Sequence, residues 1–210
     1  MKTAIKTLFA AILTVAISAS APAFANAKEA KKVTMLNTVK NFNKLNVAGN
    51  VEVILVQSTN PGVQVYDNYY AKNALVQEKD GELRISSFDK EILTVVVYAS
   101  QLNEITASDN AVVKTNGKFN TLSLEVNLKD QAKASLNTNT VDLFAKVNGK
   151  ASLSLSGSTT DYNAIIGSLA SLSSEKFSAE NTNIQSKNTA VAQQQSATST
   201  LPTEDILTLF

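Results

Sequence analysis

Apolar and polar residues alternate with a period of two through most of the chain beyond residue 41, in short runs broken by Asn, Asp, Gly and Pro. Val51-Glu-Val53-Ile-Leu55-Val56 and Val63-Gln-Val65-Tyr66 are two such runs, joined by a tight Asn60-Pro61-Gly62 loop. Alternation of this kind, rich in β-branched residues, puts one set of side chains on a buried face of a strand and the other in water. Leu75-Val76 and Leu83-Arg-Ile85 flank Lys79-Asp80-Gly81-Glu82, and Asp-Gly supplies the positive φ that a two-residue hairpin loop demands. Leu93-Thr-Val95-Val-Val97-Tyr98 is almost continuously apolar, the pattern of a strand covered on both faces.

A second, longer period is laid over the first. Ala111, Ala132, Ala151, Ala170 and Ala190 recur at a nearly constant spacing, each after a short polar or glycine corner. Alternating segments precede them, as in Leu122-Ser-Leu124-Glu-Val126, Leu143-Phe-Ala145-Lys-Val147 and Tyr162-Asn-Ala164-Ile-Ile166. One repeat of about twenty residues cannot bury its own inner face, but stacked repeats can, each backbone group pairing with the turn above or below. The pattern therefore predicts an all-β protein, a single-stranded right-handed parallel β-helix with N-terminal strand hairpins. Small alanines point inward beside Leu, Val and Ile, while Ser, Thr, Asn and Lys point outward.

The flanks read differently. Lys2 and Lys6 precede an uncharged apolar run from Thr7 to Ala19, shorter than the roughly 20 residues a spanning helix needs. Small-x-small sites follow at Ala23-Phe24-Ala25 and Ala25-Asn26-Ala27, so residues 1–25 read as a secretory signal and no later segment is apolar enough to anchor the product. Residues 26–40 are expected as a lysine-rich linker, 41–192 as the β-helix domain, and 193–210 as a flexible tail. That tail begins with a Gln/Ser/Thr tract and ends in the short apolar segment Ile206-Leu207-Thr208-Leu209-Phe210. Capping the open end of the stack is its favoured role, over a sorting signal.

Composition narrows the chemistry. The chain has 19 basic and 18 acidic residues; loss of Lys2 and Lys6 with the signal leaves a formal charge of −1. Near neutrality, with Arg84 the single arginine, argues against nucleic acid as a partner. Histidine and cysteine are both absent, removing the commonest general base, metal ligand and thiol nucleophile, and with them disulfides and attachment of lipid to a leading Cys. No phosphate loop, nucleophile elbow or dinucleotide-binding motif occurs, and no cofactor is implied.

Two candidate sites remain. Asp109 and Asp130 sit at one offset, two residues before their repeat alanines, with Gly149, Ser168 and Asn188 in the equivalent later places. Corner-forming aspartate is favoured there over calcium binding. Tyr66, Asp67, Asn68, Tyr69 and Tyr70 form an aromatic and polar cluster that could stack on and hydrogen-bond a sugar; tyrosines packed at a strand end would leave the same sequence.

The run Phe42-Asn-Lys-Leu45-Asn-Val47-Ala-Gly49-Asn-Val51-Glu-Val53, the Pro-Gly turn, the Val-Gln-Val strand, Asp-Gly-Glu-Leu-Arg-Ile, and Leu102-x-x-Ile105 ahead of the repeats together resemble the GIN-type auto-transporter adhesin head domain family. The resemblance covers about residues 40 to 192. It implies an exported bacterial protein, periplasmic or at the cell surface, built as a right-handed β-helix, and it carries over no catalytic residues. The chain departs from that pattern at its corners, using Asp109-Asn, Lys129-Asp-Gln131 and Asn148-Gly-Lys150 in place of Gly-Ser-Gly. The reading reached is a non-enzymatic adhesion or binding module of the cell envelope, its partner a surface glycan or protein. An envelope structural protein without a specific ligand and a carbohydrate-active enzyme on the same scaffold are the rivals.

Overall fold

The computed structural model describes residues 33–36, 39, 42–66 and 74–187, and every regular element in them is a β-strand. All of these residues fall in one compact unit, Lys32–Phe210; the expected signal and tail lie outside the described residues. The strands are β1 (Val33–Leu36), β2 (Lys44–Gly49), β3 (Val51–Gln57), β4 (Gly62–Tyr66), β5 (Ala74–Lys79), β6 (Glu82–Ser87) and β7 (Leu93–Ala99). They continue with β8 (Glu104–Ala107), β9 (Val112–Thr115), β10 (Phe119–Asn120), β11 (Ser123–Leu128), β12 (Lys133–Val147), β13 (Ser152–Gly167) and β14 (Ser171–Lys187). Together they form one strongly curled sheet. β1 lies within the stretch read as a linker.

The long period of the sequence is a pairing register. Val112 lies beside Lys133, Phe119 beside Thr138, Ser152 beside Ser171 and Ser156 beside Lys176, all parallel. Each of these steps is about as long as the spacing between successive alanines. β12 bends so that its start pairs β9, its middle β10 and its end β11. β13 then lies along nearly the whole of β12, and β14 along β13.

The sheet is mixed, which corrects the expectation of a wholly parallel stack beyond local hairpins. β5 and β6 form the predicted hairpin, with Asp80 and Gly81 at φ 55° and 77°. β3 and β4, joined by the Asn60-Pro61-Gly62 loop, do not pair with each other. β7 inserts between them, parallel to β3 and antiparallel to β4, and β1 adds antiparallel to the other edge of β4. In the same way β2 lies between β6 and β8, and β3 between β7 and β9. Alternation tells a strand which face to bury, not which neighbour to take, so this order is set by long-range packing.

The core lies on the concave side. Leu45, Val47, Val53, Leu55, Leu83, Ile85, Ile105, Leu124, Val126, Leu128, Leu143 and Val147 are almost fully buried, each such side chain contributing roughly 1.5–3 kcal/mol on leaving water. Ala111, Ala132 and Ala151 are fully buried as predicted. They form a column in which the next residue of one row donates to the alanine carbonyl of the row before: Lys133 to Ala111 at 2.9 Å, Ser152 to Ala132 at 3.0 Å and Ser171 to Ala151 at 2.9 Å. Ala170 continues the column at partial burial; Ala190 is outside the described residues. Leu122, read as part of an alternating run, is instead exposed at a corner. β7 keeps an inner and an outer face, with Val96 of its outer set also buried.

Candidate functional site

Each alanine closes a tight corner by donating its N–H three residues back: Ala111 to Ser108, Ala132 to Lys129, Ala151 to Asn148 and Ala170 to Gly167, at 3.1 to 3.3 Å. The second residue of the first three corners has positive φ: Asp109 at 57°, Asp130 at 60° and Gly149 at 65°. Aspartate tolerates this conformation better than most side chains because its short polar arm bonds locally. Here the bond runs between rows. Gly49 N donates to Asp109 Oδ2 at 3.0 Å, and Asp109 N to Asp130 Oδ2 at 3.3 Å. The two acids expected to be neighbours are therefore neighbours, and their carboxylates serve the corners.

The curl leaves the convex side of β6, β2, β8, β11 and the C-terminal parts of β12 and β13 as an outer face of aligned side chains. The paired registers put Glu82, Lys44, Glu104, Glu125 and Phe144 in one line across the strands, and Arg84, Asn46, Thr106, Asn127, Lys146 and Ile165 in the next. Polar contacts fix the first half of this grid. Arg84 donates to Glu82 through Nε and Nη2 at 2.9 and 2.7 Å, and Asn46 Nδ2 donates to the other Glu82 oxygen at 2.7 Å. Those bonds, Arg84 first, hold the Glu82 carboxyl below its ordinary range and raise Arg84. Lys44 pairs with Glu104 at 3.3 Å, Thr106 donates to Glu104 at 3.2 Å, and Asn127 to Glu125 at 2.8 Å.

Farther along the same face the grid opens into a groove of about 490 Å³ lined by Thr106, Glu125, Asn127, Lys129, Phe144, Lys146, Asn148 and Ile165. Phe144 and Ile165 stand on the outer side of their strands, where the pattern otherwise places polar residues, and both are half-buried. They give the groove an apolar floor between two lysines, a carboxylate and two amides, presented by paired strands and the corners that follow them. Such an arrangement can hold a ligand by ring stacking and by several hydrogen bonds at once. Sequence reasoning passed over this site. Its signal was Phe144 and Ile165 at outward parity beside lysine.

Of the predicted cluster, Tyr66 is described and Asp67, Asn68, Tyr69 and Tyr70 lie outside the described residues. Tyr66 is half-buried at the end of β4 and donates to Gln64 Oε1 at 3.2 Å; Tyr98 of β7 reaches the same oxygen at 3.4 Å. Gln64 thus takes a hydrogen bond from both Tyr66 and Tyr98, a pairing the sequence did not single out.

An all-β protein built on one curled, mixed sheet, with a packed inner side and an ordered polar outer face, is the class these features define. The family model "Putative auto-transporter adhesin, head GIN domain" matches residues 41–200, and the chain belongs to that family. No curated protein sequence matches significantly. Two solved structures share the fold at low identity. One, from Parabacteroides distasonis, is described as a "putative lipid binding protein": TM-score 0.55, 11% identity, 76% of this chain and 79% of that one covered. The other, from Parabacteroides merdae, is described as a "putative adhesin": TM-score 0.53, 16% identity, 76% and 78% covered. Among the described residues no helix is long and apolar enough to cross a membrane.

Proposed function

We propose that this chain is an exported, non-enzymatic binding module of the bacterial cell envelope, working as an adhesin through the groove around Phe144 and Lys146. The observation that carries the reading is the apolar floor of Phe144 and Ile165 set among Glu125, Lys129, Lys146, Asn127 and Asn148 on the outer face. Two half-buried apolar side chains ringed by charged and amide groups give a partner both an apolar surface and hydrogen-bonding groups to contact. A glycan or a protein surface of mixed polarity fits the lining. Family membership and the leader-like residues 1–25 support export. The regular register steps, carried through β9 to β14, support the rows closing into a right-handed parallel β-helix on which the groove is displayed.

Arrays of glycans and matrix proteins, probed with the wild-type chain and with Phe144→Ala and Lys146→Ala, test this reading. Saturable binding that both variants weaken about tenfold or more supports it. Silence on every surface would favour a purely structural envelope role. Product release from a glycan, lost on an Asp→Asn exchange, would make the protein an enzyme.

A further inference from the structure

Among the described residues β14 pairs only with β13, so a strand of 17 residues ends the stack with one edge unpaired. At about 3.3 Å per residue that edge is roughly 56 Å long. It contains no proline, one of the devices that keep free edges from pairing. The inner side is open as well. Leu153 and Ala164 of β13 are buried, whereas their β14 neighbours Leu172 and Ile184 are half-buried and 45% exposed. Phe177, which meets the buried Tyr162 ring edge-on at 5.5 Å, is also only half-buried. Among the described residues nothing covers the core at this end.

We propose that this edge is the interface for a second copy of the chain, two β14 strands pairing antiparallel about a two-fold axis at Ser178. Turning the strand about Ser178 puts Lys176 of one copy opposite Glu180 of the other, Phe177 opposite Ala179, and Leu172 opposite Ile184. Opposite charges meet on the outer side and apolar residues on the inner side, and each contact occurs twice, as an isologous interface requires. The register shift near Ser154/Ser156 leaves Leu172 beside Leu153 and Ile184 beside Ala164, so both apolar ends still face inward. The segment Ile206–Phe210 is the competing occupant. Its five residues extend to roughly 17 Å, under a third of the edge, whereas a second β14 turned about Ser178 covers residues 171–185 of it.

Sedimentation equilibrium of the chain as expressed reads the association directly. A concentration-dependent dimer is expected. Ile184→Lys should raise its dissociation constant tenfold or more while lowering the melting temperature of the dissociated chain by only a few degrees, since that side chain is already 45% exposed in a single copy. In a protein without native cysteine, Ser178→Cys should cross-link as a disulfide dimer because that residue lies on the axis. A monomer at every concentration overturns the proposal. So does a dimer indifferent to both variants, or one that appears only when residues 193–210 are removed, which would show the tail to be the occupant.

Discussion

The carboxylate of Asp130 accepts a hydrogen bond from the backbone N–H of Asp109, one row away in the stack, at 3.3 Å. Asp109 passes the same service to Gly49 N at 3.0 Å. A left-handed corner residue in one row thus ties down the corner of its neighbour. Asp109→Ala should cost about 1–3 kcal/mol, because it leaves Gly49 N without its acceptor and puts a methyl side chain at φ 57°. Asp109→Asn, which keeps both the acceptor and the tolerance for this φ, should cost under about 0.5 kcal/mol. Urea unfolding of the two variants checks the contrast.

Gly157 and Gly117 both have positive φ, 101° and 85°, yet their surroundings differ. A Cβ at Gly157 would collide with the Thr138 carbonyl of the adjoining row, whereas one at Gly117 would meet open space. Gly117→Ala is therefore expected to lose only the conformational cost of roughly 1–2 kcal/mol. Gly157→Ala must also push two paired rows apart and should lose at least twice as much. Equal denaturation midpoints would contradict the packing of those rows.

Ala151 is fully buried in the column with Ala111 and Ala132. Ala151→Asp would place a carboxylate where no partner can reach it, a penalty comparable to the whole stability of a domain. Loss of the cooperative thermal transition is expected, while Lys150→Asp at the exposed preceding position should melt within a few degrees of wild type.

These corners show what the sequence carries and what it does not. The spacing of Ala111, Ala132 and Ala151, the Asp80-Gly81 hairpin and the inward Leu and Val positions other than Leu122 are local signals, and the structure places them as read. The insertion of β7 between β3 and β4 leaves no local trace, since each of those strands buries the same alternate residues whichever neighbour it takes. The groove was hidden for a related reason. Phe144 and Ile165 belong to successive rows, and only the parallel register of β12 with β13 brings them to one surface.

Tyr162 is buried, and among the described residues its hydroxyl has no hydrogen-bond partner. Burial pushes its pKa up from 10.0 to about 12. The folded state therefore holds the phenolic proton more tightly than the unfolded chain, so this contribution to stability is complete below about pH 10 and is lost as pH rises toward 12. Tyr162→Phe should be neutral or stabilising at pH 7, since it removes an unpaired polar atom. The variant should also be spared an alkaline loss on the order of 2 kcal/mol between pH 10 and 12. Chemical denaturation of both proteins at pH 7, 10 and 12 measures the difference.

Parallel rows aligned residue by residue underlie both the core and the outer surface, and nitroxide pairs at outward positions test them most directly. Asn127 and Lys146 are register partners from successive repeats, whereas Asn46 and Thr106 are register partners far apart in sequence, with β3 to β7 between them. Adjacent strands lie about 4.8 Å apart, so both pairs should show strong and comparable dipolar broadening. Thr106 paired with Lys146, two rows distant, should show clearly less. Broadening for Asn127 and Lys146 but none for Asn46 and Thr106 would contradict the account.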